Sequence, residues 1–131
     1  MAVQKVIRVG LLGWPVSHSV SPAMHNAAFQ ATSIAGRYDL LPVEPDRLGV
    51  EVARFLADGF SGFNVTIPHK QTVLDLPQIG EVSPEAEVIG AANTLVLNPD
   101  GRLDAFNTDW QGIRDDLLAH GVNVAVGTVI V

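Results

Sequence analysis

The sequence predicts an α/β fold: three layers, α/β/α, around a mostly parallel mixed sheet that contains one antiparallel hairpin. Three observations carry this. Val6 to Leu12 is a nearly continuous apolar run closed by Gly13, the pattern of a strand buried on both faces as in a parallel sheet. Strand-like segments are twice followed by segments of helical period, after Pro22 and after Asp46. Asn98-Pro99-Asp100-Gly101, with proline second and glycine last, is a turn that joins two short strands antiparallel.

Each element has its own signals. After the first strand, Trp14 to Pro22 is a polar loop, and Ser21-Pro22 predicts a helix start, with the serine hydroxyl as cap and proline at the first helical position. Met24, Ala27, Ala28, Ala31 and Ile34 form that helix's expected apolar face, and Gly36 its stop. Arg37 to Glu44 reads as a second strand; Pro42 cannot donate to a ladder, which places the strand at the sheet's edge. Asp46 is expected to cap a second helix with Leu48, Val52, Phe55 and Leu56 on its apolar face and Gly59 at its end.

Gly62-Phe63-Asn64-Val65-Thr66-Ile67-Pro68-His69-Lys70 reads as the third strand, with its polar residues at or beyond the carboxyl end. Thr72 to Ile89, interrupted by Pro77, Gly80 and Pro84, allows only short helical turns, one starting at Ser83-Pro84. The hairpin strands are Ala92 to Asn98 and Arg102 to Asn107. Thr108-Asp109-Trp110-Gln111 is a capping box for a last helix, with Trp110, Ile113, Leu117 and Leu118 as its apolar face and Gly121 past its end. Val126 to Val131 reads as a further buried strand. Because a bare apolar strand is an association hazard, the chain is expected to have lost what followed it.

Composition narrows the classes. With 131 residues and 47% hydrophobic content the chain can bury a core, and no repeat or low-complexity tract is present. Fourteen acids against eight bases, a net charge of −6, argue against nucleic acid as a partner. Cysteine is absent, which fits a reducing compartment. The apolar run from Val9 is broken at Pro15, too soon for a membrane span or signal peptide, so a soluble cytoplasmic protein is expected.

In an open α/β sheet ligands collect where strands end, and the polar residues here gather at such places. Ser19 and Ser21 offer two hydroxyls beside a helix amino terminus, a setting for a carboxylate or phosphate; equally, Ser21 can simply cap the helix while Ser19 faces water. Lys70, just past a strand, can hydrogen-bond a hydroxyl or exchange a proton with it, or stand as a solvated surface charge. Asp109 is explained by capping and the helix dipole as well as by chemistry. Asn64, Asn93 and Asn107 lie near predicted strand ends, where asparagine serves ligands and turns alike. The four histidines show no spacing typical of a metal site, and the chain has no Gly-x-Gly-x-x-Gly turn for a dinucleotide pyrophosphate.

Four blocks resemble the amino-terminal, substrate-binding half of the shikimate dehydrogenase family: Gly13-Trp14-Pro15 through His18-Ser19-Val20-Ser21-Pro22 with His25-Asn26; Gly62 to Lys70; Ile89-Gly90-Ala91-Ala92-Asn93-Thr94; and Asn107-Thr108-Asp109. Singly each is weak; in order and together they are specific. The resemblance implies an oxidoreductase that reduces 3-dehydroshikimate to shikimate with NADP as cofactor, on the route to aromatic amino acids. It implies that Ser19 and Ser21 hold the substrate carboxylate, that Asn64, Thr66, Asn93 and Asp109 hydrogen-bond the ring hydroxyls, and that Lys70 and Asp109 form the catalytic pair. It assigns no metal and no cofactor-binding residue to this chain, since the family's NADP turn belongs to a second, Rossmann-type domain, and it implies a substrate-binding domain over residues 1–121 with, over 122–131, a linker and that second domain's first strand. On that basis the chain alone is expected to be inactive. A quinate/shikimate enzyme and a non-catalytic shikimate-binding module are the competing readings, and a homodimer is left open.

Overall fold

The apolar run at the start of the chain becomes β1 (Ile7–Gly13), which has parallel neighbours on both sides, β2 (Gly36–Pro42) and β3 (Phe60–Val65). The computed structural model describes residues 5–125. Helix α1 (Ser21–Ala31) connects β1 to β2, and a short 3-10 turn with α2 (Leu48–Ala57) connects β2 to β3. There follow β4 (Ile79–Val82), α3 (Pro84–Ile89), the hairpin β5 (Thr94–Leu97) and β6 (Leu103–Phe106), and α4 (Asp109–Ala119). The six strands form one mixed sheet in the order β2-β1-β3-β5-β6-β4. The β3–β5 and β5–β6 pairs are antiparallel and the other three are parallel. As Pro42 requires, β2 is an edge strand.

The pleat of β1 separates two cores and so makes three layers. Leu12, on one face, joins Leu41, Phe63, Val65 and Leu95 beneath Leu48, Val52 and Phe55 of α2, a large cluster that reaches β6 through Leu103 and Ala105. Leu11, on the other face, packs with Val16, Tyr38 and Phe29 of α1 in a much smaller one.

Several local expectations are corrected. In α1 the helix exists, but its expected apolar face points to water: Met24 and Ile34 are exposed, and no residue of the helix is fully buried. The inward face is Pro22, His25, Asn26 and Phe29, which has the same helical spacing. The reason is polar. Asn26 Nδ2 donates to the Tyr38 carbonyl at 3.0 Å, and its Oδ1 accepts the Tyr38 N–H at 2.9 Å, so one carboxamide satisfies an edge-strand residue that has no further strand beside it. Ser21 is the first helical residue, not the cap; its N–H donates to Ser19 Oγ at 3.2 Å. The helix stops at Ala31, with Ser33 at a φ of 55°, and Gly36 belongs to β2, where an added Cβ would lie 2.5 Å from the Phe29 ring.

Asp46 does not cap α2: Pro45–Arg47 form the 3-10 turn that leads into the helix, and no side chain accepts from its first amides. The third strand ends at Val65 rather than at Lys70, because Thr66 to His69 closes a turn through the His69 N–H to Thr66 carbonyl bond. β4 lies within a segment expected to hold only helical turns. It is four residues long and paired parallel to a strand far along the chain, and Gly80 leaves room for the Asp104 carboxylate, which would stand 2.7 Å from a Cβ there. The helix expected at Ser83-Pro84 is α3, whose cap Ser83 Oγ accepts the Ala86 N–H. The capping hydroxyl expected at Thr108 is replaced by the Asn107 carboxamide, whose Oδ1 accepts the N–H groups of Asp109 and Trp110. The strand expected over Val126 to Val131 lies outside the described residues.

Candidate functional site

β1 and β3 run parallel and finish side by side, so the loops that leave them cross at one end of the sheet. The crossing is fixed by backbone bonds: Trp14 N–H to Ile67 carbonyl at 3.0 Å, Thr66 N–H to Leu12 carbonyl at 2.9 Å and Val43 N–H to Gly13 carbonyl at 3.0 Å. Because β5 enters antiparallel beside β3, its first residues and the start of α4 arrive at the same end. The loop that carries Lys70 is tied down twice. The Lys70 carbonyl accepts from Ala92 N–H at 2.7 Å. Its neighbour His69, only 1% exposed, places Nε2 2.7 Å from the Val43 carbonyl.

Lys70, Asp109 and Asn93 form one cluster. Lys70 Nζ donates to Asp109 Oδ2 at 2.6 Å, and Asn93 Nδ2 donates to Asp109 Oδ1 at 2.8 Å, so both carboxylate oxygens are engaged. The Lys70 hydrogen bond holds the Asp109 carboxyl below its ordinary range, with help from Asn93 against the opposing effect of partial burial. Asn93 is oriented in turn by Thr94 and Thr108: its Oδ1 accepts from the Thr94 hydroxyl and from the Thr108 N–H, both at 3.0 Å. Asn107, 9% exposed, donates to the Ala91 carbonyl and caps α4. Its role is the backbone one.

Ser19 and Ser21 form the second cluster, their hydroxyls 3.0 Å apart, in a cleft of about 520 Å³ that Thr66, Trp14, His18 and Ile67 also line. Asn64 stands between the clusters. Its Oδ1 accepts the Tyr38 hydroxyl at 2.9 Å, while its Nδ2 makes only long contacts, 3.4 Å to the Asn93 carbonyl and 3.4 Å to Thr94 Oγ1. The structure thus brings all seven predicted residues to one end of the sheet, but in two groups with a thin link. Chemically, a lysine paired with a carboxylate offers proton exchange, and two hydroxyls at a helix start offer donors to an anion. Among the described residues no group of three or more His, Asp and Glu side chains could hold a metal ion.

Sequence reasoning missed Tyr38 as a supporting residue and quoted His25-Asn26 within a motif block without giving either a supporting role. His25 stacks on the Tyr38 ring at 4.2 Å with planes 7° apart. A signal existed: Tyr38 is the only tyrosine of the chain, and a tyrosine on a strand that faces a core needs a partner for its hydroxyl.

Comparison with known proteins gives the family. The family described as shikimate dehydrogenase substrate binding domain matches residues 11–95. The chain is 50% identical over 108 residues to a shikimate dehydrogenase (NADP(+)) of Citrifermentans bemidjiense, an alignment that takes in 82% of this chain and 36% of that protein. It is 45% identical over 123 residues to the one of Symbiobacterium thermophilum, covering 94% of this chain and 41% of that protein. Among solved structures, shikimate 5-dehydrogenase from Thermus thermophilus, in complex with NADP(H) and shikimate, superposes with a TM-score of 0.79 at 38% identity, over 89% of this chain and 43% of that one. The chain therefore spans about two fifths of the length of the relatives it matches. No described helix is long and apolar enough to cross a membrane.

Proposed function

The chain belongs to the family of shikimate dehydrogenase substrate binding domains, and from that premise we propose that it supplies the substrate-holding half of an NADP-dependent shikimate dehydrogenase, working in the cytoplasm. The observation that carries the reading is the Lys70–Asp109 pair at 2.6 Å, oriented by Asn93, at the strand ends where the serine pair also lies. Ser19 and Ser21 take the carboxylate of shikimate; Thr66, Asn64 and Asn93 take its ring hydroxyls. When the ketone of 3-dehydroshikimate is reduced, negative charge develops on its oxygen, and the Lys70 ammonium donates the proton that neutralises it. Asp109 holds the ammonium in place through the 2.6 Å bond to its Oδ2.

The relatives are named for NADP(+), but the first strand-to-helix loop does not fit that cofactor's pyrophosphate. The loop between β1 and α1, where a pyrophosphate would need several glycines, runs Gly13-Trp14-Pro15-Val16-Ser17-His18-Ser19. No step is assigned to the cofactor through these residues.

The test has two arms. Titration of the isotope-labelled 131-residue chain with shikimate is expected to move resonances of Ser19, Ser21, Asn64, Thr66, Lys70, Asn93 and Asp109 with weak affinity; no movement at millimolar ligand would overturn the site. In the intact protein as its gene encodes it, NADP-dependent oxidation of shikimate is expected to fall at least a hundredfold, on the order of the usual contribution of acid–base catalysis, in Lys70→Ala. Unchanged turnover in that variant would remove Lys70 from the chemistry, and rates measured on quinate beside shikimate define the specificity.

A further inference from the structure

We infer that Tyr38 is a positioning residue of this site: its hydroxyl fixes which end of the Asn64 carboxamide is offered to a ligand. The inference rests on the shikimate-binding reading and deepens it. A carboxamide has an acceptor end and a donor end of nearly the same shape, and only its hydrogen bonds decide which points where. In this structure the Tyr38 hydroxyl donates to Asn64 Oδ1 at 2.9 Å, a good bond, whereas the two contacts of Nδ2 are long at 3.4 Å. The acceptor end is thus committed to the protein. The donor end is held loosely, towards Asn93 and Thr94, and is free to turn to a ligand hydroxyl.

Tyr38 is built to hold that hydroxyl still. The residue is 3% exposed, its ring is stacked on His25, and both its backbone polar groups are clamped by Asn26. The phenol is protonated across the physiological range in any case, and burial pushes its pKa further up, to about 12. From Tyr38 to Asp109 the residues then form one path: Tyr38 to Asn64, and Asn64 by its long contacts to Asn93, which holds Asp109. No sequence spacing discloses this link, because Tyr38 lies on another strand, 26 positions before Asn64.

The decisive experiment is a double-mutant cycle read by shikimate titration of the labelled chain. Tyr38→Phe keeps the ring and its stack and removes only the hydroxyl. It is expected to weaken shikimate binding by about five- to tenfold, the worth of one oriented hydrogen bond, and to shift the Asn64 side-chain amide resonances. In an Asn64→Ala background the same substitution is expected to change affinity less than about twofold, since no carboxamide remains to orient. A purely structural tyrosine would cost the same in both backgrounds; that result, or wild-type affinity with unmoved Asn64 resonances in Tyr38→Phe, overturns the inference. If Tyr38→Phe does not fold, Asn64→Asp serves instead, because it keeps the acceptor for Tyr38 and removes the donor. Binding of Asn64→Asp equal to wild type would then count against the inference. If the wild-type chain itself does not bind shikimate, the functional reading fails, while the Asn64 amide resonances in Tyr38→Phe still decide whether the hydroxyl orients them.

Discussion

Burial pushes the Tyr38 hydroxyl from its ordinary 10.0 up to about 12, with the Ser21 hydroxyl pulling the other way. Since the folded chain disfavours tyrosinate, the stability this residue contributes is complete below pH 10 and drains away as pH rises towards 12, where the folded form also ionises. Two pKa units correspond to something on the order of 2–3 kcal/mol. Because no other tyrosine is present, tyrosinate absorbance reports on this one group. The expected result is that folded protein resists ionisation well above pH 10, and that the stability difference between wild type and Tyr38→Phe, followed by urea unfolding, shrinks steadily from pH 10 to 12. An ordinary titration midpoint of 10.0 in the folded chain would show that the phenol is solvated. The sequence names Lys70, Asp109, Ser19 and Ser21 because their motifs sit in blocks. It says nothing of Tyr38, whose part comes from a strand at the sheet's edge meeting a helix residue, Asn26, twelve positions earlier.

At the scale of elements, two glycines give opposite expectations. Gly13 ends β1 at the loop crossing, and a Cβ there would stand 2.5 Å from Thr66 Cγ2, 2.5 Å from Val16 Cγ1 and 3.1 Å from the Ile67 carbonyl. Gly13→Ala must therefore push the two loops apart, at a cost of about 1–3 kcal/mol, with Thr66 displaced from the cleft. Gly112 lies inside α4 with nothing within 4 Å of its would-be Cβ. There alanine only restricts the unfolded chain and favours the helix, so Gly112→Ala is expected to stabilise by about 0.5–1 kcal/mol. Denaturant midpoints of the two variants check both signs; a neutral Gly13→Ala would mean that the crossing is loosely packed. Elements with local signals are legible in the sequence: α2 from its apolar spacing, the hairpin from Asn98-Pro99-Asp100-Gly101, the edge position of β2 from Pro42. Those that are not legible are decided by distant partners. β4 forms only because β6 lies beside it, and apolar spacing points to the wrong face of α1 because two residues of equal helical spacing, His25 and Asn26, are polar yet find Tyr38 waiting.

For the whole molecule, packing is concentrated on one side of the sheet. The cluster beneath α2 joins Leu12, Phe63, Leu95 and Leu103 into a core that spans β1 to β6, while the face under α1 has only Leu11, Val16 and Tyr38 fully buried among the described residues. α4 has no buried residue; Ile113, Leu117 and Leu118 are exposed. What anchors its first turn is polar: the Asn107 cap, the Asn93 bond and the Lys70 ion pair to Asp109. Exposed hydrogen bonds and side-chain ion pairs of this kind resist opening far less than buried apolar area does, so α4 should unfold locally without the sheet. If its opening lies about 3 kcal/mol or more below global unfolding, its amides should exchange with solvent roughly a hundredfold faster than those of β1 and β3. Lys70→Ala should widen that gap by freeing Asp109, while leaving exchange in β1 unchanged. Native-state hydrogen exchange on the 131-residue chain measures both at once. Equal protection of α4 and β1 would show a single cooperative unit, and the Lys70–Asp109 pair would then sit on a rigid platform instead of at the base of the element that opens first.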